Sequence, residues 1–287
     1  MAVFIGMGDY VYQYLPDWAK LPEGTAFQTP SAVAVDSQDR VYVFQRYGPP
    51  VLVFDAGGQY LTSWSRQYSE RGGGLSGEIE DAHDIYIGPD DSVYLTDRDA
   101  HQVLKFTTDG ELVMALGQRD KAALQAPFNH PTDVAVAPSG EIYISDGYGN
   151  SSVHRFTGDG EYISSFGAPG NGPGEFLVPH SVRVSNDGRV YVCDRENNRV
   201  QVFSPEGQFL DQWTNFKGPM GIHIDANQIV YVTDQIPRIS ILDLDGKLLA
   251  RGRTFEFGHN VYTDSRGDIY AVDVANQRVQ KFVKQPE

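Results

Sequence analysis

A single cysteine, Cys193, stands in 287 residues, so no intrachain disulfide framework is possible. No apolar run approaches the roughly 20 residues that a membrane-crossing helix needs. Basic residues are scarce: 23 Lys and Arg face 38 Asp and Glu, a formal net charge of −15. Nucleic acid and anionic membranes are held by basic surface, so neither is an expected partner. The opening residues Met1-Ala2-Val3-Phe4-Ile5-Gly6-Met7-Gly8-Asp9 lack the basic flank and cleavage region of a signal peptide. A cytoplasmic, monomeric protein is the expectation. What the chain does have is 16 Tyr, 15 Phe and an apolar fraction of 40%, enough for a large core.

One phrase is written six times along the chain. It opens with Pro30-Ser31-Ala32-Val33-Ala34-Val35, Ala82-His83-Asp84-Ile85-Tyr86-Ile87 and Pro131-Thr132-Asp133-Val134-Ala135-Val136. It continues with Pro179-His180-Ser181-Val182-Arg183-Val184, Pro219-Met220-Gly221-Ile222-His223-Ile224 and Gly258-His259-Asn260-Val261-Tyr262-Thr263. Each is followed by a polar turn and a second run such as Val41-Tyr42-Val43-Phe44 or Val190-Tyr191-Val192-Cys193. A third run ends at Phe54, Phe106, Phe156, Phe203, Leu242 or Phe282, and Asp-Gly turns such as Asp109-Gly110 lead into a fourth. Alternating β-formers between such turns signal hairpins. A four-strand unit at this period predicts an all-β, six-bladed β-propeller, residues 1–287 as one domain. The last unit has no room for a fourth strand after Phe282, and Tyr10 to Leu15 is expected to complete it and so remove a free edge. The phrases resemble the NHL repeat, including Gly174-Glu175-Phe176 before Pro179.

Insertions at Ser65 to Asp81, Gln118 to Asn129 and Ala168 to Leu177 join one unit to the next. The second is partly helix-compatible through Asp120 to Leu124. All three belong to the face where the innermost strands begin. They can wall a central pocket or be plain connectors.

The slot occupied by Ser31, His83, Thr132, His180, Met220 and His259 holds histidine in alternate units. Innermost strands line the axis of a propeller, so these imidazoles converge from three directions. Three histidines with an open position form a catalytic zinc pattern. No carboxylate fills the intervening slots, which favours zinc over calcium at this level. His101, His130, His154 and His223 read as packing or surface residues. After the second strand the units carry Gln45-Arg46, Asp97-Arg98, Asp146-Gly147-Tyr148, Asp194-Arg195, Asp234-Gln235 and Asp273-Val274. The recurring aspartates are expected to satisfy backbone donors at the turn. Arg46, Arg98 and Arg195 over a metal call for an anion between them. A small-molecule substrate bearing a carboxylate supplies it, because a guanidinium pairs with a carboxylate bidentately.

Phe128-Asn129-His130-Pro131-Thr132-Asp133, Ser145-Asp146-Gly147-Tyr148-Gly149-Asn150-Ser151, Val178-Pro179-His180-Ser181 and Asp194-Arg195-Glu196-Asn197 resemble peptidyl-α-hydroxyglycine α-amidating lyase, the zinc lyase half of the peptide-amidating enzyme. The resemblance implies zinc on His83, His180 and His259, Tyr148 as the base, and Arg46 and Arg195 as the substrate-binding arginines. It also implies a structural calcium in the channel, on the carbonyls of Val33 and Ile85 and the side chain of residue 260. The departures are Asn260 where the family has aspartate, Arg98 where it has an apolar residue, and Gly149 at a position of a family disulfide cysteine. The implied reaction cleaves a carbinolamide to an amide and a glyoxylate-like oxo acid. A tyrosine, with a reference pKa near 10, serves as base only beside cations. Two other readings stay open: a non-catalytic interaction propeller and a lactonase-type propeller hydrolase.

Overall fold

β-Branched and aromatic side chains suit a pleated surface that is covered on both sides, and this accounts for the repeated Val-Tyr-Val runs. A computed structural model describes residues 2–64, 79–254 and 258–286. The second strands of the six repeats are β4 (Val41–Gln45), β8 (Val93–Asp97), β12 (Ile142–Asp146), β16 (Val190–Asp194), β20 (Val230–Asp234) and β24 (Ile269–Asp273), and every residue in them is buried. Their tyrosines point toward one end of the disc, where Tyr42, Tyr231 and Tyr270 donate to Asp36, Asp225 and Asp264.

The first strands are innermost: β3 (Pro30–Val35), β7 (Ala82–Ile87), β11 (Pro131–Val136), β15 (Pro179–Val184), β19 (Pro219–Ile224) and β23 (Val261–Thr263). Each touches its neighbours in the order β3, β7, β11, β15, β19, β23 and back to β3, a closed ring. Five sheets have four strands and the sixth has five. The protein is therefore a six-bladed β-propeller, and no helix occurs among the described residues. No helix there is long and apolar enough to cross a membrane.

The sixth blade closes as the sequence predicts. β2 (Tyr10–Leu15) pairs with β25 (Arg278–Lys284), with Tyr14 opposite Phe282 and Tyr12 opposite Lys284. This third strand runs past Phe282 because its ladder with β2 continues to Lys284. An unanticipated strand, β1 (Phe4–Met7), pairs with β2 and lies against β22 (Leu248–Arg253) of the fifth blade. Gly252 makes that approach possible, since a Cβ there would stand 2.7 Å from Ile5 Cβ. Of the insertions, residues 65–78 lie outside the described residues. Asp120 to Leu124 is not helical: Asp120 takes a left-handed φ of 60° and gives its N–H to the Ala100 carbonyl, and the Lys121 N–H closes a turn on the Gln118 carbonyl.

One irregularity decides what faces the axis. In the first four blades the ladder between first and second strands skips one residue: Ser31, His83, Thr132 and His180. In the fifth it skips from Pro219 to Ile222. In the sixth, His259 and Asn260 both bond to Val272. Such a bulge sets two residues opposite one and re-aims a side chain. Each bulged residue and its successor therefore both turn inward, which stacks two layers of side chains. A third layer holds Tyr86, Arg183, His223 and Tyr262. Below it the channel opens into a cavity of about 520 Å³ lined by residues that include Tyr86, His223, Tyr262 and Asp225.

Candidate metal centre

The upper layer brings His83, His180 and His259 together, with ring centroids 4.9, 5.0 and 5.1 Å apart. All three are buried, and among the described residues they form the one cluster of His, Cys, Asp or Glu able to share a metal. Their orientation is supplied by the blades that lack histidine. His83 Nδ1 lies 2.6 Å from the Thr132 carbonyl, His180 Nδ1 2.8 Å from that of Met220 and His259 Nδ1 2.9 Å from that of Ser31. A carbonyl only accepts, so each Nδ1 carries the proton and each Nε2 presents a lone pair to the axis. This is the outer-shell arrangement that fixes a metal-ligating histidine. The imidazoles are held neutral: burial depresses His83 and His180 well below the usual range. It takes His259 down to about 4, with Arg46 adding to the effect. Three convergent neutral nitrogens fit Zn²⁺.

Tyr148 arrives over this layer from the loop after β12. Asp146 anchors that loop, accepting from the N–H of Asn129, from Asn150 Nδ2 and from His154. Gly147 lets it pass the next blade, because a Cβ there would fall 2.1 Å from the Pro179 carbonyl oxygen. The Tyr148 hydroxyl sits 3.2 Å from His83 Nε2, 3.1 Å from His180 Nε2 and 3.1 Å from Arg195 Nη1. It donates to an imidazole and accepts from the guanidinium. Arg98 and Arg195 both lie over its ring, at 5.3 and 5.2 Å from the centroid. The aspartates after the second strands do what was expected of them: Asp97 and Asp194 accept loop N–H groups. The other histidines are structural, with His154 on Asp146, His223 on Thr263 and His101 against His130.

Asp81 is the rim residue that sequence reasoning missed. Its carboxylate is 3.3 Å from Arg46 Nε and 2.9 Å from Arg98 Nη2. Burial raises its pKa, against the pull of the two guanidinia. Arg98 is also paired with Asp99, and Arg195 with Glu196. The signal was there in the repeat. The residue two before the histidine slot accepts the backbone N–H of the rim residue in each of the first five blades: Thr29 from Arg46, Asp81 from Arg98, His130 from Tyr148, Val178 from Arg195 and Gly218 from Gln235. A carboxylate at that position therefore sits beside its own blade's arginine.

The expected calcium set does not fit. Asn260 Oδ1 accepts the Val33 N–H at 3.0 Å, and its Nδ2 points at both oxygens of Asp84. A backbone N–H only donates and a carboxylate accepts, so the amide cannot be turned round. Asn260 therefore offers the channel a donor, where calcium needs oxygen ligands.

A ring of six blades carrying three convergent histidines defines an NHL-type propeller with a candidate metal centre. The NHL repeat family matches residues 128–156 and 176–203. Human NHL repeat-containing protein 3 is 30% identical over 307 aligned residues, 95% of this chain and 84% of that protein. The chain belongs to this family of NHL-repeat proteins. Drosophila melanogaster peptidyl-alpha-hydroxyglycine alpha-amidating lyase 1 is 34% identical over 243 residues, 70% of this chain but 44% of that protein. Homology to amidating lyases thus holds over part of the relatives' length and supports a lyase-type reading. A gluconolactonase of Xanthomonas campestris shares the fold, with a TM-score of 0.68 at 16% identity over 97% of this chain and 90% of that one.

Proposed function

We propose that this protein is a zinc-dependent lyase. It cleaves the C–N bond of an α-hydroxyglycine-type carbinolamide, an N-substituted 2-hydroxy acid, to an amide and a glyoxylate-like oxo acid. The observation that carries this is the Tyr148 hydroxyl held within hydrogen-bond reach of two of the three imidazoles and of Arg195. His83, His180 and His259 would hold the zinc, whose Lewis acidity makes a substrate hydroxyl more acidic. Tyr148 takes the hydroxyl proton, with Arg195 Nη1 donating to its oxygen. The carbon–oxygen electrons form the carbonyl as the C–N bond breaks. Tyr148 returns the proton to the departing nitrogen, so nothing else is consumed. Arg46 and Arg195 hold the substrate carboxylate and fix the bond in line for cleavage. Arg98 has Nε and Nη2 turned to Asp99 and Asp81, so it supports the Tyr148 ring and reads the substrate through its remaining nitrogen.

The test is glyoxylate release from an acyl-α-hydroxyglycine by protein reconstituted with zinc. No release from the wild type with zinc bound sinks the reading. A second reading, a non-catalytic interaction propeller, draws support from the 84% coverage of human NHL repeat-containing protein 3. It expects no metal in the purified protein and no effect of zinc on its properties.

A further inference from the structure

We infer that the axial channel carries its own cation, the guanidinium of Arg183, and binds no structural calcium. Arg183 leaves β15 in the third layer, is 3% exposed, and reaches up to the carboxylates of the second. Its Nη1 donates to Asp133 Oδ2 at 2.6 Å and to the carbonyls of Val182 at 2.6 Å and Val134 at 3.3 Å. A carboxylate and two main-chain carbonyls are hard oxygen donors of the kind calcium takes. Here a side chain takes them. The guanidinium lies 5.1 Å from the centroid of the Tyr86 ring, which adds a favourable face for a cation.

The neighbours are arranged around that fixed charge. Asp133 Oδ2 also receives the Ser181 hydroxyl at 2.5 Å and the Val182 N–H at 3.0 Å. Asp84, which also meets Asp133 across the channel, accepts Asn260 Nδ2 on both oxygens, and burial beside Asp133 holds its carboxyl well above the usual range. The layer thus spends its carboxylates on groups of the chain itself. A second cation there would meet a guanidinium that cannot lose its charge. Among the described residues Arg183 Nε and Nη2 have no hydrogen-bond partner, and the cavity of about 520 Å³ begins one layer below.

The inference is independent of turnover and is tested without it. Zinc-loaded wild type, Arg183→Ala and Arg183→Lys are dialysed against calcium, then assayed for calcium and zinc content and for Tm with and without CaCl2. The wild type should retain zinc, hold no calcium, and show a Tm that does not move with CaCl2. Arg183→Ala should melt about 10 °C lower, because an uncompensated buried carboxylate remains. Added calcium should restore part of that loss, with calcium approaching one per chain. Arg183→Lys keeps a charge and should stay blind to calcium. One calcium per wild-type chain, or a wild-type Tm that rises with CaCl2, overturns the inference. So does an Arg183→Ala protein that folds and still ignores calcium. Should Arg183→Ala fail to fold, the wild-type and Arg183→Lys measurements decide alone.

Discussion

His83 and Asp84, His180 and Ser181, His259 and Asn260 are neighbours in sequence and belong to two layers with opposite chemistry. The upper layer spends its Nδ1 protons on main-chain carbonyls and turns three Nε2 lone pairs toward the axis, two of them within reach of the Tyr148 hydroxyl. The lower layer closes on itself: Asp133 on Arg183 and Ser181, Asp84 on Asn260, and Asn260 on Val33. Imidazole lone pairs face the axis where a ligand is to be bound, and the carboxylates are spent on the chain's own groups where the ring must only hold together. The same bulge produces both, because it turns two consecutive residues toward one axis.

The largest break in this contrast comes from the upper layer. Replacing His83, His180 or His259 by Ala should drop zinc from one per chain to near none and glyoxylate release to background, with the far-UV spectrum unchanged. Metal analysis and the release assay check it. Tyr148→Phe keeps the ring between Arg98 and Arg195 and removes the phenol oxygen. Here kcat should fall about 10²–10⁴-fold, the usual worth of a general base, while zinc content stays the same.

The lower layer should answer in stability instead. Asp133→Asn leaves Arg183 without its charged partner and should cost about 3–5 kcal/mol in urea unfolding, with zinc affinity little changed. A loss of zinc without a loss of stability would show that the two layers are not separate devices. A smaller effect should appear in the metal-free protein on acidification. His259 is held down to about 4, below its unfolded value near 6.5. Its neutral form is therefore the stabilising one. That contribution is complete above pH 6.5 and is lost as pH falls toward about 4. The slope of unfolding free energy against pH should be shallower in His259→Gln. The smallest change is expected from Arg98→Val, a shift in the ratio of kcat/KM between two acyl-hydroxyglycines. An unchanged ratio would confine Arg98 to its place beside Tyr148 and Asp81.

The propeller was legible because each repeat buries the same faces, so the phrase recurs whatever the loops do. The three histidines were legible for a related reason: deviation from a repeat at one slot stands out against five other copies. Arg183 was not, since it lies two residues past the bulge, and the inward turn of consecutive residues depends on a ladder slip that no residue type announces. Phe4–Met7 was not either. It is too short to show alternation, and its partner, β2, was already assigned to closure. At Asp120 to Leu124 helix-forming composition lost to three main-chain bonds, from Asp120 to Ala100, Lys121 to Gln118 and Ala123 to Phe128.

The carbonyl that orients each imidazole belongs to the following blade, so three of the seams between blades are written into the metal centre. One of these, from His259 to Ser31, crosses the junction where the two ends of the chain meet. Ring closure and metal affinity are then a single linked equilibrium, because a ligand that prefers the closed form stabilises it. β2 never approaches the axis, yet thermodynamically it acts as a distant ligand. Loosening it should raise the Kd for metal, and chelating the metal should speed the exchange of its amide protons with solvent.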